Sequence, residues 1–321
     1  MFERVSCVTV ILGLYLTLLV CMTVAAESPP KDSDFAIQGE YSGETEQPAD
    51  KQKLGAQVVA LGQGKFRLVM FRGGLPGDGW DGKETSTAEG ETIKALTSFQ
   101  TDEFAARVEG DALIIESPQL GQVRLKKVNR RSTTLDTQPP KGAVVLFDGK
   151  HVDQFTDGRL TDDGLLRPGA TSKLKFQSGT LHVDFQIPYA PLVPTRGNSG
   201  VYLQSRYEVQ ILDSFGFQPH NHECGGIPSV RAPDLTMSFP PLAWQTYDAN
   251  FTAATFEAGK KVKPARMTVQ HNGVTIHDDV EVSHATTSSP LMEGPEPGPL
   301  NLQEHGSEVR FRNIWFHPLP E

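Results

Sequence analysis

Cysteine is scarce, basic runs are missing, and only one stretch is hydrophobic enough to interest a membrane. Cysteine occurs three times in 321 residues. Cys7 and Cys21 lie in the N-terminal stretch, so a processed chain would keep Cys224 alone and could form no intramolecular disulfide. An exported protein of this kind must rest on its own core, which a chain of this length can bury. Lys+Arg number 30 against Asp+Glu 39, a formal charge of -9. An acidic chain without a basic run is a poor candidate for a nucleic-acid partner, because phosphate neutralisation dominates that affinity. A composition 38% apolar and 21% charged, with mean hydropathy -0.33, excludes a polytopic membrane protein and a disordered chain. No convincing amphipathic helix is present. Gly (30) and Pro (23) make up about one residue in six and run the whole length, which favours turn-rich β structure.

The one hydrophobic stretch, Val8 to Ala26, follows Arg4 and ends in Val24-Ala25-Ala26 before Glu27. A small-x-small end fits a secretory signal peptide over residues 1–26 and an exported, periplasmic or secreted, protein. An uncleaved anchor is the alternative and the only membrane partner the sequence suggests.

Residues 27–135 read as a small β domain. Gln57–Leu61 and Lys65–Phe71 flank Gly62-Gln63-Gly64 as a hairpin; Arg107-Val108 and Ala112–Glu116 flank Glu109-Gly110-Asp111 as another, with Val123–Leu125 a further strand. Gly77-Asp78-Gly79-Trp80-Asp81-Gly82 satisfies G-x-G-x-x-G, but a dinucleotide site needs a helix N-terminus next. Lys83–Glu91 has no apolar stripe, and Asp78 and Asp81 would repel phosphate, so the segment reads as a surface loop. Residues 129–142 are polar and end in a proline pair, which places a linker at 136–141.

Residues 142–321 carry period-two alternation. Leu181, Val183, Phe185 and Ile187 oppose His182, Asp184 and Gln186. Val201 and Leu203 oppose Asn198, Tyr202 and Gln204, while Tyr207, Val209 and Ile211 oppose Glu208 and Gln210. Leu300 and Leu302 oppose Asn301, Gln303 and His305. Asn272-Gly273 supplies a hairpin turn. The fold class is all-β, an antiparallel sandwich with a smaller N-terminal β domain. Trp244, Phe311 and Trp315 sit in apolar strand contexts and read as core. The polar faces offer amides, a phenol, a carboxylate and an imidazole, a set suited to hydroxyl-rich ligands; an ordinary wet face is the plain alternative.

Six blocks in order carry a resemblance. They are Leu146–Gly149, Arg196–Gln204, Tyr207–Ser214, Trp244–Asp248, Leu302–Gly306 and Val309–Trp315. Over residues 142–319 the chain resembles the 3-keto-disaccharide hydrolase family. The resemblance implies a concanavalin A-like jelly-roll sandwich with a carbohydrate site on its concave sheet. It also implies a glycoside or oligosaccharide substrate already oxidised to a ketone at sugar C3. Cys224-Gly225-Gly226-Ile227-Pro228-Ser229 departs from the family's common Cys-Gly-Ala-Ile-Tyr-Gly.

A ketone at C3 acidifies the C2 proton, so elimination of the C1 substituent followed by hydration gives net hydrolysis. The route needs a base, a donor for the enolate oxygen and an acid for the leaving group. Glu208 and His305 are the expected acid/base pair, with Asp213 closing the Glu208 strand as a third catalytic candidate. Arg196, Asn198, Tyr202, Gln204, Gln210 and Gln303 are the expected substrate-binding residues. His220, His222 and Cys224 are the candidate ligands should a divalent metal take part, and no other cofactor is called for. A non-catalytic sugar-binding module on the same sandwich is the competing reading.

Overall fold

The computed structural model describes residues 32–45 and 51–319, so the expected signal segment lies outside the described residues. After one short helix, α1 (Ser33–Ile37), every regular element is a strand. The first eight are β1 (Gly39–Glu44), β2 (Lys53–Gly62), β3 (Lys65–Arg72), β4 (Thr85–Ile93), β5 (Leu96–Gln100), β6 (Ala105–Glu109), β7 (Ala112–Ser117) and β8 (Gly121–Val128). They pair in chain order, and β8 returns to β1, closing an antiparallel barrel. Closure removes both sheet edges, which a short meander would otherwise expose. Gln63 and Gly64, both at positive φ, form the two-residue turn of the β2–β3 hairpin. Residues 83–91, whose polar sequence carries no apolar stripe, are largely β4. Its inward positions are small because Phe99 fills the barrel there: a side chain at Gly90 would collide with the Phe99 ring. The G-x-G-x-x-G segment is the loop between β3 and β4, with Asp78 paired to Lys53 at 2.7 Å and Gly77 packed against Met237. A strand, not a helix, follows it.

Two sheets form the rest. One orders β10 (Phe155–Thr156), β11 (Thr171–Phe176), β20 (Gly298–Leu302), β13 (Ser199–Leu203) and β14 (Tyr207–Ile211). The other orders β19 (Val274–Val282), β18 (Ala265–His271), β15 (Trp244–Thr252), β12 (Gly179–Gln186), β21 (Arg310–Pro318) and β9 (Val144–Phe147). A small ribbon, β16 (Thr255–Glu257) with β17 (Lys260–Lys263), stands apart. Leu181, Val183, Phe185, Val201, Leu203, Val209, Ile211 and Leu302 are all buried in one core shared by the two sheets, as their alternation predicts. Asn272 and Gly273 make the β18–β19 turn at positive φ. Phe311 and Trp315 are buried; Trp244 is half-buried beneath the Arg312 guanidinium, 4.0 Å from its ring.

The described residues belong to one compact unit. Residues 129–142 are tied down along much of their length. Arg130 grips barrel Glu40 with two hydrogen bonds (2.5 and 2.7 Å), donates to Pro76 C=O, and lies 5.1 Å over Phe239. Ser132 and Thr134 hydroxyls meet Thr246 at 2.6 and 2.7 Å, and Thr137 C=O accepts from the Trp315 indole at 3.0 Å. This segment roofs the outer face of the six-stranded sheet, where His182 and Asp184 are fully buried.

Candidate functional site

The site grows from the register of three strands. Tyr202 on β13 lies opposite Glu208 on β14 and Asn301 on β20; Gly200 lies opposite Gln210. Gln303, just past β20, donates its backbone N–H to Gly200 C=O at 2.9 Å. Directly opposed antiparallel residues share a face. Two rows therefore cross the sheet, Asn301–Tyr202–Glu208 and Gln303–Gly200–Gln210. Their partners on the other face, Val201, Val209 and Leu302, are core, so burial of these apolar residues aims the polar set away from the core.

Gly200 is the bare centre. A Cβ there would run into the Glu208 carboxylate, which lies directly over it. Tyr202 hydroxyl donates to Glu208 Oε2 at 2.7 Å, with Thr287 C=O a weaker alternative acceptor at 3.1 Å. Gln303 Nε2 donates to the same hydroxyl at 3.3 Å. Glu208 is 2% exposed. Burial pushes its carboxyl up to about 7, against the opposing pull of the Tyr202 hydrogen bond. Burial and the Glu208 charge together push the Tyr202 phenol upward.

Four side-chain oxygens around this centre are buried without a hydrogen-bond partner among the described residues: Asn198 Oδ1, Glu208 Oε1, Gln210 Oε1 and Gln303 Oε1. An unpaired buried acceptor costs on the order of 1–3 kcal/mol. All four call for donors, which sugar hydroxyls provide.

Other expected site residues stand elsewhere. Gln204 is not on the strand; with Ser205 and Arg206 it forms the β13–β14 loop, and both Gln204 and Ser205 have positive φ. Its amide is spent on Phe176 C=O and Gln177 Oε1, both at 2.9 Å, and it receives Arg206 at 3.1 Å, so it pins the loop. Arg196 is likewise committed: it donates to Asp213 C=O (3.1 Å) and Glu223 (2.9 Å) and covers the Phe217 ring at 4.4 Å. Asp213 lies past the end of β14 beside this clamp, with burial raising its carboxyl to about 7 while Arg196 opposes the shift. His305 is exposed in the turn after Gln303, because β20 stops at Leu302. No hydrogen bond joins it to Glu208.

The metal candidates diverge. His220 and His222 are exposed, whereas Cys224 is fully buried with its thiol 3.1 Å from the Tyr247 hydroxyl. The segment is a turn, not an extended strand: the His220 and His222 rings lie 5.5 Å apart at the surface, while Cys224 turns into the core. Among the described residues no group of three or more His, Cys, Asp or Glu side chains is arranged to hold a metal ion.

Sequence reasoning passed over Gly200, although a glycine inside an alternating polar strand marks close approach of another group. It also passed over the buried His182. Burial would lower this imidazole, but hydrogen bonds to Asp184 (2.9 Å) and Asp248 (2.6 Å) raise it to about 9. It stacks on Trp315 beneath the 129–142 segment and is a structural latch, remote from the Glu208 face.

A polar face complementary to hydroxyls, centred on a buried carboxylate, belongs to the carbohydrate-handling class of β proteins. The chain belongs to the 3-keto-alpha-glucoside-1,2-lyase-like domain family, which residues 142–317 match. It is also similar to the crystal structure of a putative glycosyl hydrolase from Parabacteroides distasonis, with 30% identity and a TM-score of 0.51, over 56% of this chain and 85% of that one. No curated protein matches the chain. No helix among the described residues is long and apolar enough to cross a membrane.

Proposed function

We propose that the chain cleaves 3-keto-glycosides by elimination across C1–C2 followed by hydration. The observation that carries this reading is a buried Glu208, with its carboxyl raised to about 7, hydrogen-bonded to Tyr202 amid unpaired acceptors. A base of that strength suits removal of a proton α to a ketone near neutral pH. Glu208 takes the C2 proton, and the electron pair forms the enolate. Tyr202 and the amide groups of Asn198 and Gln210 stand ready to hold the enolate oxygen and ring hydroxyls. The C1–O bond then breaks, its electrons leaving with the aglycone oxygen, which takes a proton assigned to His305. Water adds to C1 of the resulting C1=C2 double bond, and C2 regains a proton.

The two packed sheets, one core and a polar face beside β14 support a concanavalin-like jelly roll. The sequence of residues 1–26 supports export to the periplasm or beyond.

The test is turnover of a 3-keto-disaccharide in D₂O, with and without EDTA. Activity on the keto form alone, deuterium at C2, and a loss of about 10²-fold or more in Glu208→Gln are expected. Turnover of the unoxidised disaccharide, or product without deuterium, defeats the elimination. Full activity in His305→Ala moves the leaving-group proton to Glu208, which has just acquired one. Saturable sugar binding without turnover of either form favours the non-catalytic module.

A further inference from the structure

The barrel is unevenly filled. At one end Phe66 and Phe99 occupy its interior, and Gly90 is bare to admit the Phe99 ring. At the other end the inward β4 position is only Ser86, opposite Met70. A cavity of about 730 Å³ opens there. That is the size range of sites for drug-sized molecules, and eight strands are the number at which a barrel can enclose one small ligand.

The cavity has a two-part chemistry. Leu54, Met70, Phe104, Ile115 and Leu120 supply an apolar wall. The Ser86 and Ser117 hydroxyls and the Gln119 amide interrupt it; Ser117 Oγ accepts from Leu120 N–H at 3.0 Å and keeps its proton to donate, whereas the Thr101 hydroxyl is spent on the Phe104 backbone. The rim holds Arg72 together with Glu84, Asp102 and Glu103, and no ion pair among the described residues joins Arg72 to these carboxylates. The three carboxylates repel an anionic head group, and Arg72 among them weakens the field a cationic head group would feel. Hydroxyl and amide groups beside an apolar wall suit a neutral molecule with its own hydroxyls.

We propose that the open end of the barrel is a binding site for a small, neutral, hydroxyl-bearing apolar molecule, a phenolic or alicyclic alcohol, seated with its apolar body against Met70, Phe104 and Ile115. This site stands on the barrel alone and does not depend on the chemistry proposed for Glu208.

The test uses the full chain, titrated by calorimetry with 4-phenylphenol, with dodecanoate and with dodecyltrimethylammonium, each below its micellar concentration. Saturable binding of 4-phenylphenol at one site per chain is expected, tighter than either charged amphiphile. Ser86→Phe, which fills the hollow beside Met70, is expected to weaken it at least about tenfold, roughly 1.4 kcal/mol. Leu120→Trp, at the mouth, provides a second blocked variant should the first not fold. Absence of saturable 4-phenylphenol binding overturns the proposal. Unchanged affinity in a folded blocked variant overturns the location, and tighter binding of a charged amphiphile overturns the ligand class.

Discussion

The Glu208 carboxylate rests on the bare Cα of Gly200, the one position on the polar face of β13 that carries no side chain. Neither neighbour on that face leaves room for it: Tyr202 reaches over to bond the same carboxylate, and Asn198 contributes a buried amide oxygen. The glycine thus sets where the proposed base can sit.

Gly200→Ala is expected to keep the fold, because its backbone is ordinary strand, but to displace Glu208. Overpacking of this kind costs about 1–3 kcal/mol. Thermal melting should show a modest loss, while activity on the 3-keto substrate falls about as far as in Glu208→Gln. An alanine variant as active as the wild type would refute the placement of Glu208 in the reaction.

The pH profile of kcat/KM should carry a limb from Glu208. A base acts when ionised, so activity falls as pH drops through about 7, the value to which burial raises this carboxyl. The Tyr202 hydroxyl favours the ionised form, so Tyr202→Phe should move the limb to higher pH. A limb that stays in place in Tyr202→Phe, or survives in Glu208→Gln, assigns it to another group.

His182 makes stability fall with rising pH. Its folded value, about 9, lies above the ordinary 6.5, so its contribution is complete below pH 6.5 and is lost as pH climbs through about 9. A shift of that size corresponds to about 3 kcal/mol for this buried group. Urea midpoints between pH 6 and pH 9.5 should decline in the wild type and stay flatter in His182→Gln. Equal slopes in both proteins would place the titration elsewhere.

Among the described residues Arg130 is the only charge partner of Glu40, which is 1% exposed. Arg130→Ala strands that carboxylate in the barrel wall, and breaking a buried pair from one side costs about 3–5 kcal/mol. The Tm should fall by several degrees or more. Arg130→Ala combined with Glu40→Gln should recover part of the loss, since a neutral amide tolerates burial better; no recovery would mean the loss came from the contacts to Pro76 and Phe239.

Alternation along Thr180–Ile187, Tyr207–Ile211 and Leu300–Leu302 was enough to name the core of the two-sheet unit, and six ordered blocks were enough to suggest the family. Both are local properties: the pleat has period two, and burial of one face writes apolar residues at that period. Asn272-Gly273 was legible for the same reason, because a two-residue turn asks for positive φ at both positions. The β13–β14 loop was not, since Gln204 and Ser205 adopt positive φ without a glycine or asparagine to announce it. Nor was β4, whose inward Ser86, Ala88 and Gly90 are small to make room for side chains from other strands. Alternation says which way a side chain points and is silent on what lies above it. His182 and Asp184 point off the sheet, as their pattern requires, yet residues 129–142 cover them and turn a wet face into a sealed ionic network. Glu208 also points off the sheet, and only the bare Gly200, the reach of Tyr202 and the depth of its surroundings make it a carboxyl poised near neutrality. Facing was decided by the chain's local period, and chemistry by segments distant in sequence that meet only when the protein folds.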